Sequence, residues 1–238
     1  MKKQLFFLVA LFIGVSVSAQ TEKKKVDFGN RTKDHFMIQY GVDGWSGKPD
    51  SVRTGGFSRH FNLYFMLDKP FKNNPKMSLG FGAGIGSSNM FFNKTNVDIV
   101  STAAKLPFTL ADSADHFKKF KVTNIFLEIP AELRYFSNPS NVNKSWKLAI
   151  GAKVGTLLKA YSKGKNFVNK YDQSLSGTST IEKEVSKKFF NGTTIALTGR
   201  VGYGIIYLQG SYTITGVLRD GMGANMNRYS IGIGISGL

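Results

Sequence analysis

The closing stretch of the chain constrains its fold more than any other. Tyr229, Ile231, Ile233 and Ile235 alternate with Ser230, Gly232, Gly234 and Ser236. In a strand, successive side chains point to opposite faces, so this segment has one large apolar face and one of small residues. The run Met77-Ser78-Leu79-Gly80-Phe81-Gly82-Ala83-Gly84-Ile85-Gly86 repeats the pattern upstream. Greasy side chains backed by glycine and serine suit a narrow sheet whose outside is apolar and whose inside is crowded.

The N-terminus supports an exported chain. Met1-Lys2-Lys3 is basic, Leu5 to Val15 is apolar, and Val17-Ser18-Ala19 supplies small residues for cleavage before Gln20. This is the layout of a secretory signal over residues 1–19, and its apolar run is too short for a spanning helix. Residues 20–34 read as a polar, lysine-rich periplasmic leader. No later stretch has the length of a transmembrane helix. Cysteine is absent, so neither disulfides nor thiolate metal sites stabilise the fold. The net charge of +17 ordinarily suggests nucleic acid. Export argues against that partner and favours phosphate-bearing lipid headgroups.

Eight extended segments follow, at about 35–45, 55–67, 76–92, 121–136, 146–161, 193–202, 205–215 and 227–238. Most reach the roughly 9–11 residues a tilted strand needs to cross a bilayer. The links between them alternate long and short, as in barrels with long extracellular loops and short periplasmic turns. Closing strand eight onto strand one removes the sheet edges that lipid cannot satisfy. Residues 35–238 are therefore expected to form one all-β domain, an eight-stranded antiparallel up-and-down transmembrane β-barrel.

Alternation alone does not say which face is inside; a secreted soluble barrel would bury the apolar one. Aromatics near segment ends, among them Trp45, Phe92, Tyr135, Phe136, Trp146, Tyr203 and Tyr229, suggest interfacial girdles and favour the membrane arrangement. The polar face then encloses a charge network of Glu128, Glu132, Arg134, Lys147, Lys153 and Arg200, with Lys147 or Lys153 pairing the carboxylates. Confined charges must be paired or hydrated, so these are expected to plug the lumen rather than to relay protons or bind a ligand. Pro130 donates no ladder hydrogen bond and is expected to mark a bulge or bend.

The run Leu127-Glu128-Ile129-Pro130, followed by Leu133-Arg134-Tyr135, resembles the signature strand of the PorT-like family of small outer-membrane β-barrels. Arg200-Val201-Gly202-Tyr203-Gly204, Tyr207-Leu208-Gln209-Gly210 and the closing strand resemble the same family. The resemblance implies an eight-stranded outer-membrane barrel, and for some members an accessory role in type IX protein secretion.

Catalytic signals are sparse. Ser58 and His60 share a strand face, but no orienting carboxylate is identifiable for a Ser/His hydrolase. The stretch Asp112-Ser113-Ala114-Asp115-His116 has too few ligands for a metal site, and the glycine-rich run 80–84 precedes no helix. Neither an enzyme nor a cofactor is expected. Lysines crowd the two longest loops and their edges, at 94, 105, 118, 119, 121, 163, 165, 170, 183, 187 and 188. The sequence thus points to a non-enzymatic outer-membrane barrel with an envelope structural or interaction role, the alternatives being a secretion accessory and a narrow solute channel. The expected partners are outer-membrane lipids and lipopolysaccharide, and other envelope or secretion proteins.

Overall fold

Alternation of large apolar with small or polar residues is realised as a closed ring of strands. A computed structural model of the chain describes residues 35–55, 57–110, 115–169, 171, 173–175 and 180–237. The expected signal peptide and leader lie outside the described residues. Eleven strands are present: β1 Phe36–Ser46, β2 Arg59–Phe71, β3 Asn74–Phe92, β4 Thr95–Val97, β5 Phe108–Leu110, β6 His116–Phe136, β7 Trp146–Val168, β8 Ile181–Val185, β9 Thr193–Tyr203, β10 Ile206–Thr213 and β11 Asn227–Ser236. Eight of them close as β1-β2-β3-β6-β7-β9-β10-β11, and β11 pairs back onto β1 from Met37/Ser236 to Ser46/Asn227. All these pairings are antiparallel. The fold is an eight-stranded up-and-down transmembrane β-barrel.

The polarity of the wall is that of a membrane protein. Ile129, Ile150, Leu197, Ile231 and Ile233 are exposed on the outside, whereas Glu128, Glu132, Arg134, Lys147 and Lys153 are buried within. Trp146 and Tyr203 pack edge to face at 5.6 Å on the outer rim of the short-turn end, as interfacial aromatics do. Trp45, Phe92 and Phe136 depart from the expected girdles: all three are buried. They occupy the inner parity of their strands, so nearness to a strand end does not decide which way a ring points.

Strand lengths differ from expectation at the ends. β2 and β3 run through Pro70 and Pro75 to a turn at Lys72-Asn73, with a register shift between Pro70 and Phe71. β6 and β7 extend past the barrel toward the long loops, where β8 pairs onto β7 from Tyr161/Val185 to Lys165/Ile181. Several lysines of the two longest loop regions therefore stand on strands.

Pro130 is not a bulge. The register with β7 continues through it, Pro130 opposite Lys153. On the β3 side, Phe81 faces Ala131 and Gly84 faces Glu128 with no shift, and only the two intervening rungs are missing from the ladder. A proline removes a donor without requiring an extra residue. The register shift in β6–β7 lies between Ile125 and Phe126, where Leu158 is the extra residue on β7.

Candidate functional site: a layered barrel interior

Register explains which interior charges meet. Glu128 and Glu132 on β6 lie directly opposite Gly155 and Gly151 on β7, and Lys153 stands between those glycines, opposite Pro130. Glycine leaves room above each carboxylate, and Lys153 is the diagonal neighbour of both. Lys147 is opposite Phe136, near the turn, and its Nζ lies 6.0 Å from the Phe136 ring centroid. The lysine on Glu128 is thus Lys153.

Three polar groups project into the lumen. Nearest the short turns, Glu132 receives Arg200 through Nε at 3.1 Å and Nη2 at 2.5 Å, and Arg134 Nε at 3.1 Å. Arg134 also reaches Asp68 at 3.4 Å, and Ser78 donates to Asp68 at 2.5 Å. Next, Glu128 accepts from Lys153 Nζ at 2.9 Å and from the Tyr64 hydroxyl, with Arg228 Nη2 at 3.8 Å. Toward the long loops, Asp43 accepts from His60 Nδ1 at 2.7 Å and from the Ser88 hydroxyl. The Gln209 amide nitrogen sits 2.7 Å from His60 Nε2. Each buried carboxylate thus has at least one cationic or hydrogen-bonding partner, which offsets a desolvation cost of several kcal/mol per ion.

The interior glycines make this crowding possible. A Cβ on Gly80 would lie 2.4 Å from Arg134 Nε, one on Gly86 would lie 2.7 Å from a Glu128 carboxylate oxygen, and one on Gly234 would lie 2.3 Å from the Tyr207 ring. The small-residue face read from the sequence is the bed on which the large lumen side chains rest.

Above the polar groups lies an apolar cluster built from the long loops and the strands. Val52 of the first long loop, Val97, Ile99 and Leu106 of the second, Phe189 and Phe190 of the third, and Leu218 and Met226 of the fourth pack together. They meet Trp45, Met90, Phe92, Phe120, Val122 and Phe126 from the strand ends. Hydrogen bonds stitch the loops to one another: Leu106 N–H to Met222 O at 2.8 Å, Arg219 Nε to Phe190 O at 2.9 Å, and Lys188 Nζ to Ser101 O at 2.9 Å.

Ser58 and His60, which share a strand face, are engaged separately. With the Gln209 amide donating to Nε2, the His60 proton sits on Nδ1 and is given to Asp43. Ser88 donates to Asp43 rather than to the imidazole, and Ser58 Oγ accepts the Phe91 N–H at 3.0 Å. Among the described residues, neither Ser58 nor Ser88 is hydrogen-bonded to the ring, as the nucleophile of a triad is. Of the stretch 112–116, set aside above as a metal site, residues 112–114 lie outside the described residues, and His116 turns inward, buried, at the start of β6.

Sequence reasoning missed Asp43, Tyr64, Asp68, Gln209 and Arg228 as lumen partners. All but Asp68 fall on the inner parity of strands whose boundaries were legible, so strict alternation was signal enough. Asp68 was hidden by an early end to β2. The apolar cluster had no such signal, because loop residues carry no periodicity.

The sequence profile of the family described as Outer membrane protein beta-barrel domain matches residues 7–217. No curated protein matches the chain. Among solved structures, Ail, the attachment invasion locus protein of Yersinia pestis, aligns at 14% identity over 87% of this chain and 99% of that one, with a TM-score of 0.33. A crystal structure of Ail in complex with the heparin analogue sucrose octasulfate aligns at 14% identity over 86% and 97%, with a TM-score of 0.34. These superpositions are loose, and the family assignment rests on the profile match.

Proposed function

The chain belongs to the outer-membrane protein β-barrel domain family, and from that premise we propose that it is a closed, non-enzymatic barrel serving the envelope by structure or interaction. The observation that supports this reading is that two kinds of side chain crowd the interior. Paired charges project across the barrel, and all four long loops contribute apolar side chains to the cluster above them. An eight-stranded barrel has little interior beyond its own side chains, and here the loops cover what remains. A narrow solute conduit is disfavoured on the same grounds. The test is ion flux: vesicles reconstituted with the folded protein should hold a potassium gradient as well as empty vesicles do. Rapid dissipation would reject the closed reading.

A narrower role finds support in the PorT-like resemblance of Leu127-Glu128-Ile129-Pro130, which suggests an accessory beside type IX secretion machinery. A strain lacking the protein should then retain type IX cargo inside the cell. Normal secretion would remove this second reading and leave the first intact.

A further inference from the structure

The outer face of the β3-β6-β7-β8 extension carries a row of cations. Lys121 of β6, Lys163 of β7 and Lys183 of β8 are directly opposite one another across adjacent strands. Directly opposed residues share a face, with Cβ atoms about 5 Å apart, and like charges in that position repel. Phe91 of β3 continues the same rung. Its ring lies under both Lys121 Nζ, at 5.7 Å, and the Arg59 guanidinium, at 5.1 Å. Lys183 Nζ lies 4.5 Å from the Tyr161 centroid, and Asn89 accepts from Lys121 at 2.7 Å. The aromatic and amide contacts hold Arg59, Lys121 and Lys183 in place without neutralising them.

Among the described residues, no carboxylate balances the row. The rung below reads Arg59, Asn89, Thr123, Tyr161, Val185, and the rung above pairs Lys119, Lys165 and Ile181. Glu182 and Glu184 of β8 face the other side, opposite Gly164 and Ser162. Among the described residues, none of Arg59, Lys121, Lys163 and Lys183 has an ion-pair partner.

The height of the row identifies what it meets. On β6 the outward apolar residues run from Tyr135 up to Ile125. At about 3.3 Å per residue and a tilt of about 45°, the Arg59 rung lies roughly 5 Å, and the lysine rung roughly 9 Å, above Ile125 along the membrane normal. The headgroup zone is about 5–8 Å deep on each side of the hydrocarbon, so the Arg59 rung lies within it and the lysine rung at its outer margin. Lys159, opposite Ile125 and exposed, can lift its ammonium into the same zone along its own apolar stem.

We propose that Arg59, Lys121, Lys163 and Lys183 form a docking surface for the phosphate groups of an outer-leaflet glycolipid of the lipid A type. The proposal rests on the outer-membrane reading above and gives it a defined lipid partner. Phosphates bridging adjacent lysines would offset their repulsion, and Arg59 on Phe91 offers a planar fork suited to phosphate oxygens.

The experiment titrates the folded, detergent-solubilised full chain with diphosphorylated lipid A and with dephosphorylated lipid A. Binding should require phosphate and weaken with salt. The triple variant Lys121→Gln/Lys163→Gln/Lys183→Gln should bind roughly 100-fold more weakly. Lys69→Gln/Lys72→Gln/Lys76→Gln, the same charge change near the short-turn end, should bind like wild type. The triple Lys→Arg variant at 121, 163 and 183 should keep binding. Equal affinity for dephosphorylated lipid, wild-type binding by the glutamine variant, or loss of binding in the arginine variant would each overturn the proposal. Heat-dependent gel migration, read in parallel, reports the barrel: its absence in wild type would strike the membrane-barrel reading, whereas its presence with no lipid binding would strike only this one.

Discussion

The lower and upper halves of the interior are packed by opposite chemistry. Below, the wall supplies alternating glycines and large ionic side chains, held by paired charges such as Glu132 with Arg134 and Arg200. Above, the loops supply Phe189, Phe190, Ile99 and Met226, all fully buried and held by apolar packing. The lower half is directional and intolerant, because each ion depends on a placed partner. The upper half is non-directional and depends on volume. The lower half is also part of the barrel ladder, whereas much of the upper half hangs on loops joined by a few hydrogen bonds. The two should therefore fail differently.

The largest effect should come from the lower half. Glu132→Gln leaves Arg200 and Arg134 facing a neutral amide, and should cost about 3–5 kcal/mol in reversible unfolding from micelles. A loss below about 1 kcal/mol would mean that water, not pairing, solvates these ions. Glu128→Gln should be similarly damaging, and adding Lys153→Met should recover part of the loss. Strict additivity would show that Glu128 and Lys153 are not coupled. On the lipid face, Ile233→Arg should cost about 2–4 kcal/mol, and unchanged folding would reverse the assignment of inside and outside. In the upper half, Phe190→Ala should raise hydrogen exchange and protease cutting in the long loops while the heat-dependent gel shift of the barrel persists. Simultaneous loss of both would show that loop cluster and barrel form one cooperative unit. The smallest effect should follow Thr198→Val: the Thr198 hydroxyl is buried without a hydrogen-bond partner, so stability should change by less than about 0.5 kcal/mol.

The same contrast explains what was legible in the sequence. The membrane strands were readable because a period of two is imposed by geometry along each strand, and their order followed from the alternation of link lengths. Lipid-facing Ile150 and Ile233 and inward Glu128 and Lys153 all obey that period. The partner of Glu128 was not readable from period alone, because Lys147 and Lys153 share a parity and only the register separates them. Pro130 interrupts the ladder to β3 but adds no bulge, because a missing donor removes rungs without requiring an extra residue. Phe189 and Phe190 gave no sign of their burial, since they follow Lys187 and Lys188 in a loop and meet residues far away in sequence. Trp45 and Phe92 belonged to the apolar cluster by parity but looked like girdle residues by position.

If wall charges and loop cluster each shut the tube, opening either one alone should not let it conduct. Single-molecule conductance in planar bilayers tests this most directly, on four proteins: wild type, a cluster-opened Phe189→Gly/Phe190→Gly variant, a lumen-opened Glu132→Ala/Arg200→Ala variant, and their combination, each first shown to keep its heat-dependent gel shift. Wild type and both partial variants should be silent, and only the combination should carry a steady ionic current. A steady current through wild type, or through the cluster-opened variant alone, would contradict the account.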